Sequence, residues 1–439
     1  MGRYVGLDVH KRSIVACALT ASGEVVFRDR FDCRPEAIVG FARRQLDRHD
    51  EVVLEATTHS LSVARFLAPH VSRVVISNPA KTKMIAAATV KTDAVDAKTL
   101  ADLLRSNYVP EVWQPDAHSE TLRSLVSFRA QLSGTRTRYM NRIRAILQEL
   151  MIELPTRKLT AHAARAALEQ AQLPREERIQ VDNLLRLIDE TQKSMDEVDT
   201  QLATIADASH EINLLLTLPG IGLLGACALW GTIGDVSRFK SAAHLCAYLG
   251  LTPRVKQSAK HAWYGSITKA GSREARRLLV LGAHQVKHHP GPLGAFYRRL
   301  KERKHGSVAA VATARKMAEI TYHMLTNDEP YRYAQPQRTQ AKLNEISRRA
   351  GTRREPPQRL RVPAENEPEK PSDDGAYRRE TVPALNDVYR RTGLLTVEWD
   401  AIPEAETRAT EGQSDYIASL NNRYALYRRK TRQSSVPGT

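Results

Sequence analysis

The chain is 439 residues long, which exceeds the size of one ordinary hydrophobic core and predicts two or three domains joined by linkers. Lys and Arg number 66 against 49 Asp and Glu, and the formal net charge of +17 favours nucleic acid as the partner. Four widely spaced cysteines argue against structural zinc, and the lack of a leader-like start or of a run of about 18 apolar residues predicts a cytoplasmic protein without membrane contact.

Over the first hundred residues, short β-branched runs alternate with amphipathic segments. They predict three strands, then alternating helices and strands, at Tyr4–Val9, Ser13–Leu19, Val25–Phe31, Glu36–Arg48, Val52–Glu55, Leu61–Leu67, Val74–Ile76 and Asp93–Arg105. Three antiparallel strands followed by alternating helices and strands is the order of the ribonuclease H-like fold. We therefore predict an α/β domain with a mixed sheet in residues 1–118.

The next segment, residues 119–212, has helical patterns throughout. From Ser119 to Leu150 an apolar stripe is interleaved with arginines, and a basic face of this kind either contacts phosphates or is simply solvated. We favour phosphate contact. The arginines assigned to it are Arg129, Arg136, Arg138, Arg142 and Arg144.

A heptad seam runs from Val181 to Ile205, where apolar side chains recur at alternating spacings of three and four residues. Such a seam packs either on another helix of the same chain or on a second protomer. We slightly favour the second protomer, so the sequence predicts a coiled coil and a homo-oligomer.

Residues 213–330 are predicted to form a third, mainly helical domain. Leu218–Gly222, followed by an apolar helix, resembles a helix-hairpin-helix turn, in which backbone amides approach a nucleic-acid phosphate. Gly220 and Gly222 permit this approach because they lack a Cβ, although a tight structural turn explains the same glycines equally well. Further helices are expected at 241–249, 272–288 and 308–325.

Beyond about Ala334 the composition shifts to Pro, Glu, Arg and Gln. A segment of this kind buries too little apolar surface to fold, so residues 331–439 are predicted to be a largely disordered extension. The sequence indicates no function for it.

Four carboxylates of the first domain are candidates for catalysis. Asp8 lies within the first apolar strand and Glu55 ends another, where a buried carboxylate needs a cation. Asp93 and Asp96 lie three residues apart at the start of a helix and project from one face, although a helix cap is the alternative explanation for Asp93. The four carboxylates together can hold two Mg²⁺ ions, which would stabilise both oxygens of a phosphoryl transfer.

A serine in the polar segment after Tyr248–Pro253 is a second candidate. Ser258 stands among cations, and a serine hydroxyl becomes a nucleophile when its proton is removed and cations stabilise the phosphate that it attacks. From this context alone, a surface hydroxyl is the more common explanation. The cations of this region that we expect to bind nucleic acid are Arg254, Lys256, Lys260 and Lys269.

These motifs together resemble those of the IS110 family of bacterial transposases. The N-terminal motifs are Tyr4-Val5-Gly6-Leu7-Asp8-Val9-His10-Lys11, Glu55-Ala56-Thr57 and Lys91-Thr92-Asp93-Ala94-Val95-Asp96-Ala97. The C-terminal motifs are Leu218–Gly222, Gly234-Asp235, Arg238-Phe239, Tyr248–Pro253 and Ile267–Gly271. The match covers roughly residues 1–330 in the right order and leaves the tail uncovered.

The resemblance implies a RuvC-like domain, a coiled coil and a serine-bearing transposase domain. It places a DEDD metal site, with Mg²⁺ as its cofactor, at Asp8, Glu55, Asp93 and Asp96. It also implies action on DNA in the bacterial nucleoid and a tetramer whose active sites combine two protomers. Because some members are guided by a structured noncoding bridge RNA, such an RNA is a further candidate partner.

The resemblance also implies which serine becomes covalently linked to DNA. The family serine follows the Gly-Leu-Thr-Pro motif, which places it at Ser258. Family members often have glycine next, whereas this chain has Ala259. Ser266 and Ser272 are therefore the alternative candidates.

Three other functions stay open. A RuvC-type Mg²⁺-dependent junction endonuclease needs the carboxylates and not Ser258. An actin-like or sugar-kinase ATPase also begins with Gly6-Leu7-Asp8 and a hairpin, but the sequence lacks the second glycine-rich phosphate loop of that fold. A noncatalytic nucleic-acid-binding scaffold would use the carboxylates as helix caps and surface charges.

Overall fold

The computed structural model describes residues 2–85, 92–156, 158–258, 261–352, 379–382, 384–398, 416–417, 420 and 425–428. The chain divides into two compact units, Met1–Asp116 and Ala117–Thr439. Among the described residues, no helix combines the length and the apolar character needed to cross a membrane.

Within its described residues, the first unit contains one mixed sheet of five strands. They are β1 (Tyr4–Val9), β2 (Ser13–Leu19), β3 (Val25–Asp32), β4 (Glu51–Glu55) and β5 (Arg73–Ser77), in the spatial order β3-β2-β1-β4-β5. β1 pairs antiparallel with β2 and parallel with β4, and β3 and β5 extend the two sides. The predicted α/β domain with a mixed sheet is confirmed.

Helices cover both faces of this sheet. They are α1 (Pro35–Gln45), α2 (Ser60–Leu67), α3 (Pro79–Ile85) and α4 (Asp93–Arg105). On one face, Phe41 of α1 and Leu67 of α2 are fully buried against the apolar side chains of the central strands. On the other face, Ala97 and Ala101 of α4 pack against Cys17 of β2.

Gly6 permits α4 to lie directly on β1. A Cβ built at this glycine would lie 2.0 Å from the carbonyl oxygen of Ala97 and 2.6 Å from the amide nitrogen of Ala101. Side chains alternate along a strand, so Asp8, two residues later, projects toward the same face as Gly6. The close approach of the helix therefore fixes where the first turn of α4 lies relative to the end of β1.

The second unit begins with a pair of long antiparallel helices, α5 (Ala117–Glu149) and α7 (Arg175–Ala208), with α6 (His162–Gln170) between them. At one end of the pair, Val181 and Ile188 of the heptad seam pack with Ile143 of α5. At the other end, Leu202 packs in one cluster with Leu122. The heptad seam therefore does not indicate a second protomer, because α5 of the same chain packs against the face of α7 that was predicted to bind one. The homo-oligomer stays a prediction.

The helices that follow confirm a mainly helical second unit. They are α8 (His210–Leu216), α9 (Leu223–Ile233), α10 (Ala242–Tyr248), α11 (Arg273–Val286), α12 (Pro292–Arg303) and α13 (Gly306–Asn327). The helices expected at 241–249, 272–288 and 308–325 correspond to α10, α11 and α13.

A β-hairpin replaces the polar loop expected after Pro253. β6 (Pro253–Ser258) and β7 (His261–Ile267) pair antiparallel. Among the side chains that the structure describes in these strands, the apolar Val255 and Trp263 are 52% and 62% exposed and do not mark a buried face. The sequence therefore lacked the alternating burial pattern by which strands are usually recognised.

The expectation of disorder is wrong for two parts of the extension. α14 (Pro336–Ala350) packs Leu343 and Ile346 into the helical core, and Arg349 approaches Asp199 of α7 at 3.6 Å. Beyond α14, β8 (Arg379–Val382) pairs with β9 (Ala425–Arg428). The helix α15 (Leu385–Arg391) has the buried side chain of Tyr389 on its inner face. Residues 353–378, 399–415 and 429–439 of the predicted extension lie outside the described residues.

Replacing Gly6 by alanine tests the close packing of α4 on β1. The added methyl group must push the helix backbone away, so we expect a loss of about 2 kcal/mol or more in the free energy of unfolding, measured by urea denaturation. Gly40→Ala in α1 is the matched control. Its Cβ would meet the flexible guanidinium of Arg44 at 3.2 Å, and alanine is favoured over glycine in a helix by up to about 1 kcal/mol. An unchanged unfolding midpoint for Gly6→Ala would contradict this packing.

Candidate functional site

Asp8 and Glu55 lie side by side at the carboxyl ends of neighbouring parallel strands. Continuing the register of β1 with β4 by one residue sets Asp8 beside Glu55, on strands about 4.8 Å apart. Asp8 follows Gly6 by two residues, and Glu55 follows Val53, which packs with Leu100 of α4. Both carboxylates therefore project toward the α4 face of the sheet.

Helix α4 brings two further carboxylates to this face. Its N-cap is Thr92, whose side-chain oxygen accepts a hydrogen bond from the amide of Val95 at 3.3 Å. Asp93 and Asp96 follow in the first turn, where the positive end of the helix dipole favours carboxylates. The alternative explanation of Asp93 as the helix cap is wrong, because Thr92 performs that task.

His10 connects the strand and the helix. Its Nε2 lies 3.0 Å from Oδ2 of Asp8 and 3.3 Å from Oδ1 of Asp93. One ligand atom from each of the three side chains lies within 4.8 Å of the others. His10 was not predicted as a site residue, although its position two residues after Asp8 placed it on the same side of the chain.

The electrostatics of this cluster favour a bound cation. Burial is the largest reason that the pKa of Asp8 lies above its ordinary value; His10 opposes the rise, and the negative charges of Asp93 and Asp96 add to it. Ionised carboxylates gathered in this way repel one another unless a cation lies between them. Carboxylate oxygens with one imidazole nitrogen are donors that a divalent metal ion accepts, so the residues present fit such an ion.

Ser258 is the last residue of β6, and its backbone pairs with that of His261 at the tip of the hairpin. Two of the cations predicted to act with it, Arg254 and Lys256, lie on the same strand, and Arg254 is exposed. Lys260 lies outside the described residues. The serine and these two cations thus belong to the same strand of the hairpin.

The base of the hairpin is fastened to α10 and α11. Lys269 has a φ of +57°, and its amide donates to the carbonyl oxygen of Gly250 at 3.2 Å. Arg276 donates to the carbonyl oxygens of Leu249 and Ala270 at 3.1 and 2.7 Å. The end of the hairpin opposite to Ser258 is therefore held by the backbone hydrogen bond of Lys269 and by the side chain of Arg276.

The two alternative serines have different surroundings. Ser272 is the N-cap of α11, and its hydroxyl accepts a hydrogen bond from the amide of Ala275 at 3.2 Å. Ser266 is exposed on β7. Ser272 thus has a structural role that explains its presence, whereas Ser266 has no such role in the described part of the chain.

The arginines of α5 differ in their exposure. Arg129 forms a two-point ion pair with Asp199 of α7, at 2.8 and 3.1 Å, and the two side chains are only 14% and 12% exposed. Arg136 donates to Gln192 of α7 and is half-buried. The exposed arginines are Arg138, Arg142 and Arg144. Arg129 and Arg136 therefore join the two helices, and Arg142 adds a hydrogen bond to Gln180 of α7 at 3.0 Å. The three exposed arginines are those whose guanidinium groups a phosphate can reach.

The two glycines of the Leu218–Gly222 turn have different environments. Gly220 has a φ of +79°, and a Cβ there would lie 2.4 Å from the carbonyl oxygen of Gly282 in α11. Gly222 is the exposed N-cap of α9, and a Cβ there would meet nothing within 4 Å. A tight structural turn explains Gly220, but packing in the described residues does not require glycine at Gly222.

A mixed sheet with carboxylates at the strand ends, followed by a mainly helical unit, is consistent with a DEDD-type transposase. The family model for the DEDD domain of IS110 transposases, described as "Transposase", matches residues 5–152. The model described as "Transposase IS116/IS110/IS902 family" matches residues 212–298, and the two together cover more than half of the chain. The chain therefore belongs to the IS110 family of insertion-sequence transposases, enzymes that cleave DNA and transfer its strands. Its DEDD-type domain implies the use of a divalent metal ion.

Relatives of known name are similar to long parts of the chain. The transposase for insertion sequence element IS1111A of Coxiella burnetii is 27% identical over 256 residues, which are 55% of this chain and 68% of that protein. The transposase for insertion sequence element IS1328 of Yersinia enterocolitica is 24% identical over 339 residues, 73% and 96% of the two chains. The pilin gene-inverting protein of Moraxella bovis is 27% identical over 349 residues, 75% and 97%.

Asp8→Asn tests whether the acidic cluster opposes folding in the absence of a cation. Because its folded-state pKa is raised, ionised Asp8 destabilises the folded state above that pKa, and the variant should have the higher free energy of unfolding at pH 7 in EDTA. The difference should close as the pH falls through the pKa of Asp8, since the wild-type carboxyl is then protonated. Added Mg²⁺ should raise the melting temperature of the wild type but not that of Asp8→Asn.

The exposed carboxylate at the end of β3 provides the matched control, because Asp32→Asn removes one negative charge from the same unit without touching the cluster. Its stability should respond to Mg²⁺ as that of the wild type does. An equal response of Asp8→Asn to Mg²⁺ would contradict a cation site at Asp8.

Substitutions on α5 separate structural arginines from those that contact nucleic acid. Arg129→Gln leaves the largely buried Asp199 without its main partner, so we expect a loss of about 3 kcal/mol in the free energy of unfolding. Arg138→Gln should change stability by less than about 0.5 kcal/mol but weaken nucleic-acid binding. Urea denaturation and fluorescence anisotropy measure the two effects. Equal stability losses for both variants would contradict this division.

Proposed function

We propose that the chain cuts and rejoins DNA at the ends of an insertion sequence, with a ribonuclease H-like, RuvC-like metal domain and a serine nucleophile. The observation that carries this proposal is the convergence of Asp8 and Asp93 on the imidazole of His10, with Glu55 in the adjacent register position of the next strand. Asp96 belongs to the same group, because its charge raises the pKa of Asp8. These four carboxylates form the proposed DEDD site.

The strand order supports the ribonuclease H-like assignment of residues 1–118. β1, β2 and β3 pair antiparallel, and β4 and β5 lie on the other side of β1 and run parallel to it. Asp8 and Glu55 lie at the ends of the neighbouring strands β1 and β4. Residues 119–212 are the proposed helical and coiled-coil region. Residues 213–330 are the proposed transposase domain, in which the Leu218–Gly222 turn has the role of a helix-hairpin-helix turn.

Mg²⁺ is the proposed ion, about two per site. When bound, these ions would stabilise the charge on the attacking and leaving oxygens of a phosphoryl transfer. The carboxylates Asp8, Glu55, Asp93 and Asp96 supply oxygen ligands. His10 holds Asp8 and Asp93 in fixed orientations, since its ring reaches both.

Ser258 is the proposed nucleophile. Its Oγ forms a bond to a backbone phosphorus atom while the bond from that phosphorus to one strand end breaks, and the released oxygen takes up the proton that the serine loses. The number of phosphate ester bonds is unchanged, so the step needs no external energy source. The hydroxyl group of another strand end can then attack the serine-linked phosphate, which joins the strands and releases the serine. Arg254 and Lys256, on the same strand, supply positive charge for the phosphate.

DNA is the proposed substrate, and a structured bridge RNA is the proposed guide. The formal charge of +17 and the exposed arginines of α5 support a polyanionic partner. We also propose that the protein acts in the bacterial nucleoid as a homo-oligomer, in which two protomers together form one active site.

An adduct assay tests the chemistry. The wild type is incubated with Mg²⁺ and DNA of the element ends, with and without the associated noncoding RNA, and protein-linked DNA is detected by its sensitivity to protease. We expect the adduct in the wild type and none in Ser258→Ala or Asp8→Ala. Ser272→Ala should form the adduct and lose only about 1 kcal/mol of stability, as expected for a helix cap.

Each other outcome assigns a different chemistry. An adduct that persists in Ser258→Ala and disappears in Ser266→Ala moves the nucleophile to β7. DNA nicking without an adduct favours the RuvC-type endonuclease, which needs the carboxylates alone. Cleavage that is unaffected by Asp8→Ala contradicts the metal site.

A further inference from the structure

A cleft in the helical unit lies between the Leu218–Gly222 turn and α14 of the extension. It has a volume of about 470 Å³, and its lining includes Gly222, His289, Gln335, Arg338 and Lys342. None of these side chains belongs to the proposed metal or serine sites. Two features of the cleft, an open helix start and an unpaired buried donor, are not explained by packing.

The open helix start is the N-terminus of α9. The first amides of a helix have no partner within the helix, and here they follow Gly222, at which a Cβ would meet nothing within 4 Å. The backbone φ of Gly222 is −111°, which other residues also adopt. Glycine is therefore not required here by the fold, but it leaves the amides accessible to a group from outside.

Lys342 of α14 holds this turn in place. Its ammonium group donates to the carbonyl oxygens of Leu218 and Ile221 at 3.3 and 3.0 Å, and also to that of Leu216. Because these carbonyls belong to the end of α8 and to the turn itself, one side chain of the extension determines the position of the turn. Lys342 also adds positive charge beneath the cleft.

The unpaired donor belongs to His289, which is only 5% exposed. Its Nδ1 accepts a hydrogen bond from the amide of Gly291 at 3.0 Å, so the proton of the neutral ring is on Nε2. Among the described residues, neither this buried Nε2 nor the buried Oε1 of Gln335 in the same cleft has a hydrogen-bond partner. Burial, followed by the charges of Arg338 and Lys342, lowers the pKa of His289 to about 4, so the ring is neutral at physiological pH.

An unpaired donor in a buried position destabilises the folded protein, and an acceptor from a ligand would remove that cost. The amide group of Gln335 can rotate to present its nitrogen, so it supplies a second donor.

Positive charge dominates the rim of the cleft. Arg338 is exposed, and it has no ion-pair partner in the described part of the chain. The acidic residue of the lining, Glu345, is already paired with Arg348 and Arg349 at 2.8 and 2.7 Å. The lining of the cleft therefore combines the glycine that begins α9 with the imidazole of His289 and the guanidinium of Arg338, and its carboxylate is already paired.

We propose that this cleft binds a backbone phosphate of duplex DNA, held by the amides that follow Gly222, by Nε2 of His289 and by Arg338. The phosphodiester group has the acceptor oxygens and the negative charge that these donors require. The sequence indicated no function for the extension beyond residue 330. In this proposal its helix α14 supplies part of the DNA-binding surface.

The proposal rests on the proposed function, in which DNA is the substrate and the Leu218–Gly222 turn has the role of a helix-hairpin-helix turn. It does not depend on the carboxylates or on Ser258, so it is tested by binding in EDTA, where no metal-dependent cleavage occurs. The full-length chain is titrated into a fluorescent DNA duplex, and anisotropy is recorded over a range of salt concentrations.

Arg338→Gln should weaken binding about fivefold and lower the slope of log affinity against log salt by about one phosphate contact. Arg390→Gln is the charge-matched control, since it removes an exposed arginine of α15 that does not line the cleft. We expect its affinity to change less than about twofold.

Gly222→Ala provides a second variant that the fold tolerates. Its methyl group lies in open space, but it stands where a phosphate would approach the amides, so binding should weaken about threefold at unchanged stability. Gly134→Ala on α5, which also meets nothing within 4 Å, is the matched control and should bind as the wild type does.

Unchanged affinity and salt slope in both Arg338→Gln and Gly222→Ala would overturn the proposal, as would a wild type that fails to bind the duplex at low salt. A loss seen with an RNA duplex and not with DNA would overturn the assignment to DNA. If no adduct forms but the variants still differ from the wild type in DNA binding in EDTA, the proposed chemistry is overturned and the proposed phosphate site stands.

Discussion

The contact between α4 and β1 determines the geometry of the proposed metal site. Gly6 admits the backbone of α4 to the strand, and the carbonyl oxygen of Ala97 occupies the place of a side chain. Asp8, two residues further along β1, therefore meets the first turn of the helix, where Asp93 and Asp96 lie. The carboxylates are thus brought together by a contact that contains no charged group. A larger residue at Gly6 would move the acidic turn outward with the helix.

The same cluster shows why such a site opposes folding in the absence of its ligand. Burial and like charges both raise the pKa of Asp8, and each reflects a lower stability of the ionised carboxylate. His10 relieves part of this, since it lies within 3.3 Å of both Asp8 and Asp93. Local structure that conflicts with stability is common at functional sites, where a ligand supplies the missing interaction. The donor set here indicates that the missing interaction is with a cation.

The parts of the fold that the sequence predicted are those with strong local patterns. β1, β2 and α4 have the predicted bounds, because alternation marks the strands and acidic first-turn residues mark the helix start. The convergence of the carboxylates followed from strand order. The role of His10 did not, because it depends on a tertiary contact with Asp93. Likewise, Val255 and Trp263 of the β6–β7 hairpin are exposed, so these apolar residues form no alternating burial pattern by which the strands could be predicted.

Patterns also fail to identify the partner of a face or of a charge. The heptad seam of α7 required an apolar partner, and α5 of the same chain provides it, as the cluster of Ile143 with Val181 shows. Lys342 belongs to a segment whose composition predicted disorder, yet its ammonium group holds three carbonyls of a distant turn. Arg129 and Arg138 read alike in the sequence, but one closes the helix pair and the other faces solvent. A cation in a basic chain is therefore assigned by the acceptors around it, and in α14 those acceptors connect the extension to the domain that the family models recognise.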